Sequence, residues 1–155
     1  MRFSMLPAAG VVILKHMDGD FHVLCLKTKS GKYDLTKGII DPGETAFQTA
    51  LREAHEEAGI SEITFPFGKE SVQQDACTMF VGVTNQEPEI LPNPHTGIKE
   101  HAGYIWLPIL DAVNSDKIKN FLDNYTEKKN EIIITSHVTS PFVKIETINN
   151  ALKKM

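Results

Sequence analysis

Residues 38–60 read GIIDPGETAFQTALREAHEEAGI, and the reading of this stretch decides the fold. From Thr45 to Ala58, Phe47, Ala50, Leu51, Ala54 and Ala58 fall in one narrow stripe when each residue turns the chain by about 100°. That predicts an amphipathic helix with the stripe on a core. Thr45 followed three residues later by Gln48 fits a capping box, which satisfies amide groups that a first helical turn leaves unpaired. Gly59 stands where a left-handed cap would end the helix. Opposite the stripe lie Glu53, Glu56 and Glu57 at i, i+3 and i+4, so three carboxylates share one helix face. Like charges so close raise one another's pKa and strain the helix unless something positive binds among them. A cluster of hard oxygen donors suits Mg²⁺ or Mn²⁺, which complete their shells with water and phosphate oxygens. A solvated acidic face is the plain alternative, and it needs no ligand.

Working outward, the preceding stretch SGKYDLTKGIIDPGE is dense in Gly, Asp and Pro and reads as a structured loop holding at most a short strand. Before it, Ala8 to Lys15 and Phe21 to Lys27 are rich in Val, Ile and Leu. With the turn signal Met17-Asp18-Gly19-Asp20 between them, they predict a β-hairpin. After the helix, Ala76 to Thr84 and Gly103 to Ile109 read as strands. Between them EPEILPNPHTGIKE has too many prolines for sheet or helix and could border a substrate site. Asp116 to Lys128 reads as a second helix, Phe142 to Leu152 as a weaker third, and EIIITSHVTS between them as a strand or an ordered linker.

At 155 residues the chain has the size of one domain, and residues 1–155 are expected to form a single one. A net charge of −4 disfavours a function that depends on neutralising many nucleic-acid phosphates, so no stable nucleic-acid complex is expected; a single nucleotide remains a suitable ligand. Cys25 and Cys77 have no paired spacing and are expected to be buried thiols rather than a disulfide or zinc site. No apolar run approaches the roughly 18 residues that span a bilayer, so no membrane association is expected and a cytoplasmic protein is the default.

The segment from Gly38 to Ile60 resembles the Nudix box of the MutT-like hydrolases at every fixed position. It has a Gly, five residues, Glu44, seven residues, Arg52-Glu53, the aliphatic Ala54, one residue, Glu56-Glu57, one residue, Gly59 and the aliphatic Ile60. The resemblance implies an α/β Nudix fold, a central mixed β-sheet sandwiched between α-helices. It implies metal ligation by Glu53, Glu56 and Glu57 with the Gly38 carbonyl, and structural support from Glu44 and Arg52. It also implies a hydrolase that splits a phosphoanhydride bond: bound cations neutralise the phosphate oxygens and activate a water, and a nearby carboxylate acts as base.

Two further stretches resemble motifs of the asymmetrical diadenosine tetraphosphate hydrolases, a Nudix branch. Glu100-His101-Ala102-Gly103-Tyr104-Ile105-Trp106-Leu107 is similar to a Glu-His-x-x-Tyr-x-Trp-Leu motif, which implies that Glu100 lies beside the metals as a catalytic candidate and that Tyr104 contacts base or phosphate. Tyr33-Asp34-Leu35-Thr36-Lys37-Gly38 is similar to Trp-x-Pro-Pro-Lys-Gly, with Tyr33 in place of Trp and Leu35-Thr36 in place of Pro-Pro. It implies substrate contacts from Lys37 and Tyr33. Met79 stands in the place of an aromatic that stacks on adenine. The expected substrate is therefore a dinucleoside polyphosphate. A nucleoside triphosphate or an RNA 5′-triphosphate end is the alternative within the enzyme class, and a non-catalytic nucleotide-binding module is the alternative outside it. His16, His22, His55, His95 and His137 have no ligand-like spacing and are expected on the surface or at caps.

Overall fold

The computed structural model describes residues 6–74, 76–109 and 111. Its elements in chain order are β1 (Ala8–Met17), β2 (Asp20–Thr28), β3 (Tyr33–Asp34), β4 (Thr36–Ile39), α1 (Ala46–Ala58), β5 (Val72–Gln74), β6 (Cys77–Val83) and β7 (His101–Pro108). The predicted hairpin is present as β1 and β2, each extending toward the turn formed by Asp18 and Gly19, both at positive φ. The helix has its capping box at Thr45 and Gln48 and its left-handed cap at Gly59, where φ is 66°. The helices expected over 116–128 and 142–152, and the segment 131–140, lie outside the described residues.

The loop expected around residues 30–44 holds two short strands rather than at most one, and β5 was not anticipated at all. Strands of two to four residues are too short to show a period, so only their pairing partners reveal them. β1 and β2 pair from Leu14↔Val23 to the turn and then diverge; β4 pairs with the first half of β1 and β3 with the far end of β2, filling the gap between them. β6 runs parallel to β1 along its other edge, and β7 is antiparallel to β2 along its outer edge. Among the described residues the result is a mixed seven-stranded sheet.

Alternate residues of β1 feed two cores, as the period of a strand demands. Val12 and Leu14 join Val23, Cys25, Leu35, Met79 and Val81 on one face. Ala9, Val11 and Ile13 join Leu24, Leu26, Phe80 and the helix residues Ala50, Ala54 and Ala58 on the other. The buried helix face is turned slightly from the expected stripe: Leu51 is only half-buried, whereas Thr49 is fully buried. Alanines let α1 lie close to the sheet, and Thr49 tolerates burial because its hydroxyl donates to Glu44 at 2.9 Å. Of the two cysteines expected to be buried, Cys25 is and Cys77 is only half-buried, at the first position of β6. No helix among the described residues is long and apolar enough to cross a membrane.

Candidate active site

Because α1 packs on both β1 and β4, the flank of the helix that carries the glutamates faces β4 rather than open water. Glu57 is drawn in deepest. Its side chain is 10% exposed, and its Oε1 accepts a hydrogen bond from the Lys37 amide at 2.9 Å. At Gly38 the Glu53 carboxylate occupies the space that a Cβ would take, so any larger residue would displace that carboxylate.

Arg52 ties the loop before the helix to the helix itself. Its Nε and Nη2 donate to the two oxygens of Glu44 at 2.9 and 3.0 Å, and Nη2 also donates to the Ile39 carbonyl at 3.0 Å. Its Nη1 donates to Glu53 at 2.9 Å and to Glu56 at 3.1 Å. The planar fork of a guanidinium can serve all of these at once, which an ammonium could not. Paired with Arg52 and Thr49, the Glu44 carboxyl is held down to about 2, and Glu44 in turn raises the Arg52 pKa.

The opposite wall comes from the start of β7 and the proline-rich loop before it. Glu100 accepts from Asn93 Nδ2 at 2.8 Å. His101 is 7% exposed; its Nδ1 lies 3.6 Å from Glu57 Oε2 and its Nε2 lies 4.0 Å from Asp34 Oδ2. Asp34 Oδ1 accepts from Lys37 Nζ at 2.8 Å and from the Leu35 amide at 2.9 Å. Together these walls enclose a cleft of about 300 Å³, lined among others by Lys37, Gly38, Arg52, Glu53, Glu56, Glu57, Asn93, His95, Glu100 and His101.

Burial dominates the electrostatics. It pushes the Glu57 carboxyl up to about 8, helped by the charges of Glu53 and Asp34 and opposed by the Lys37 amide. Glu53 is also raised, by burial first and then by Glu56 and Glu100, against the pull of Arg52. Asp34 moves the other way: burial would raise it, but His101 and Lys37 hold it well below the usual carboxylate range. Burial would likewise lower Lys37, and the Asp34 carboxylate keeps it raised. A buried carboxylate surrounded by negative neighbours is a place where a cation is stabilised.

The residues fit such a cation. One donor atom from each of Glu57, Glu100 and His101 lies within 4.8 Å of the other two. The three helix glutamates read as one cluster from sequence are divided in the folded chain: Glu57 faces Glu100 and His101, while Glu53 and Glu56 share Arg52. Tyr33 and Tyr104 do not line the cleft; Tyr33 packs against the core beneath the sheet, and the exposed Tyr104 donates its hydroxyl to Glu87 at 3.2 Å. Met79 is fully buried. Sequence reasoning gave no role to Asp34, Asn93 or His101, although His101 stood beside Glu100 in a quoted motif.

The NUDIX domain family model matches residues 5–128. Over 60 residues the chain is 38% identical to the asymmetrical bis(5′-nucleosyl)-tetraphosphatase of Caenorhabditis elegans, a stretch that makes up 37% of this chain and 44% of that protein. The fold is similar to a C. elegans Ap4A hydrolase solved as a binary complex, with a TM-score of 0.58 and 21% identity, covering 83% of this chain and 100% of that one. It is also similar to the NUDIX domain of Shewanella oneidensis NrtR in complex with ADP ribose, with a TM-score of 0.54 and 18% identity, covering 82% and 90%.

Proposed function

Since the chain belongs to the NUDIX domain family, we propose that its cleft hydrolyses a phosphoanhydride bond in a nucleoside diphosphate derivative with Mg²⁺ or Mn²⁺ as cofactor. The observation that carries this is convergence: Glu53, Glu56 and Glu57 from α1, Gly38 from β4 and Glu100 from before β7 all line one cleft with Lys37. The four glutamates and the Gly38 carbonyl would hold the cation, which when bound neutralises phosphate oxygens and activates water. Lys37 Nζ offers the phosphate chain a positive charge. Glu100, which accepts from Asn93 on the wall opposite the helix, would take the proton of a water attacking one phosphorus, and a nucleoside phosphate would leave. Arg52 and Glu44 support the platform without touching the reacting atoms. The two free cysteines suit a reducing cytoplasm.

For the substrate we favour a dinucleoside polyphosphate such as diadenosine tetraphosphate, the reading supported by the motif around Glu100 and by the C. elegans relative. One observation favours a nucleoside triphosphate or an RNA 5′-triphosphate end instead: among the described residues no Phe, Tyr or Trp, the side chains on which a second base would stack, lines the cleft. The test is to incubate the protein with Mg²⁺ and diadenosine tetraphosphate, nucleoside triphosphates, ADP-ribose or triphosphorylated RNA and separate the products. Conversion of diadenosine tetraphosphate to ATP and AMP supports the first reading, preference for a triphosphate supports the second, and no turnover of any overturns the enzyme reading. Lys37→Ala is expected to raise KM or lower kcat while Mn²⁺ still binds, and complete loss of Mn²⁺ binding would contradict its placement on phosphate.

A further inference from the structure

We propose that His101 supplies a nitrogen ligand to the cation of this cleft and that Asp34 holds its ring in place, so that the site prefers Mn²⁺ and similar transition ions over Mg²⁺. The inference rests on the proposed metal-dependent reading. It begins from the burial of His101, which is 7% exposed and lines the same cleft as Glu53, Glu56, Glu57 and Glu100. Its two ring nitrogens face different partners. Nδ1 lies 3.6 Å from Glu57 Oε2, and Nε2 lies 4.0 Å from Asp34 Oδ2. Two atoms that each bind one ion at about 2.1 Å stand no more than about 4.2 Å apart, so Glu57 Oε2 and Nδ1 can share an ion. A Glu100 carboxylate oxygen lies within 4.8 Å of a ligand atom of each residue, so a small rotation of this exposed side chain would bring it to the same ion.

The far side of the ring is what separates this arrangement from a chance neighbour. A histidine that binds metal characteristically donates its other ring N–H to a carboxylate, which fixes the tautomer and orients the ring. Asp34 is the carboxylate that faces Nε2, at 4.0 Å and so just beyond hydrogen-bond reach until the ring settles on an ion, and it is itself fixed by Lys37 Nζ and the Leu35 amide. Glu57 Oε1 is fixed in turn by the Lys37 amide, leaving Oε2 turned toward the imidazole. Asp34 on β3, Lys37 on β4, Glu57 on α1 and His101 on β7 therefore form one connected support. Imidazole suits transition ions, whereas Mg²⁺ prefers oxygen donors. The competing arrangement has His101 as an imidazolium that merely links two carboxylates; it would leave the ion with oxygen ligands alone.

The deciding measurement is electron spin-echo envelope modulation on the full chain loaded with Mn²⁺. We expect ¹⁴N modulation from a directly bound imidazole, lost in His101→Gln, and a fall of about 10-fold or more in the ratio of Mn²⁺ to Mg²⁺ affinity in that variant. Bound Mn²⁺ without ¹⁴N modulation would overturn the inference and leave the proposed hydrolase standing. So would modulation that persists in His101→Gln, because the nitrogen would then belong to another residue. Failure of Mn²⁺ to bind the parent protein at all would sink the metal-dependent reading and this inference with it.

Discussion

Glu57 concentrates the chemistry of the site in one side chain, because it is the most buried of the three helix glutamates and lies among other negative charges. Glu57→Gln keeps the shape and leaves an oxygen to accept the Lys37 amide, so the fold should survive. Turnover is expected to fall on the order of 10²-fold or more, with an unchanged far-ultraviolet circular dichroism spectrum; retained turnover would contradict the assignment. Glu44 shows the opposite electrostatics. Its folded pKa of about 2 lies below the ordinary 4.5, so its pairing with Arg52 contributes stability above pH 4.5 and loses it as pH falls toward 2. Urea denaturation should show the gap between the parent and Glu44→Gln closing over that interval; a gap independent of pH would show that the charge is not what matters.

At the scale of elements, α1 owes its start to local chemistry. Thr45 accepts from the Gln48 amide at 3.1 Å, and the Gln48 side chain accepts from the Thr45 amide at 2.9 Å. Thr45→Ala should cost about 1 kcal/mol in chemical denaturation. Since Gln48 lies one turn and Thr45 about two turns before Arg52, a much larger loss would mean that the loop before the helix depends on the cap as well. The helix, its caps and the hairpin were legible because each is defined by neighbours within a few residues. β3, β4 and β5 were not, because a strand of two to four residues exists only through its partner. The same reason hid Asp34 and His101: no spacing joins residues on β3, α1 and β7 until the strands pair.

At the scale of the whole molecule, a cation that binds the folded chain and not the unfolded one must stabilise it. At a concentration 100 times its Kd the gain is about 2.7 kcal/mol. Mn²⁺ or Mg²⁺ should therefore raise Tm, a chelator should reverse the rise, and Glu57→Gln should show a much smaller one; an unchanged Tm at saturating ion would count against a site in this cleft. The sequence by itself determined the helix with its caps, the hairpin, the acidic face and the resemblance of residues 38–60 to a known box, since all of these are local or fixed by spacing. The tertiary structure decided which way that face points and what meets it. Packing of α1 against β4 buries Glu57, and the pairing of β7 with β2 brings Glu100 and His101 across from it. Burial and proximity between distant segments set the charge state of a carboxylate, and neither is a property of any stretch of chain taken alone.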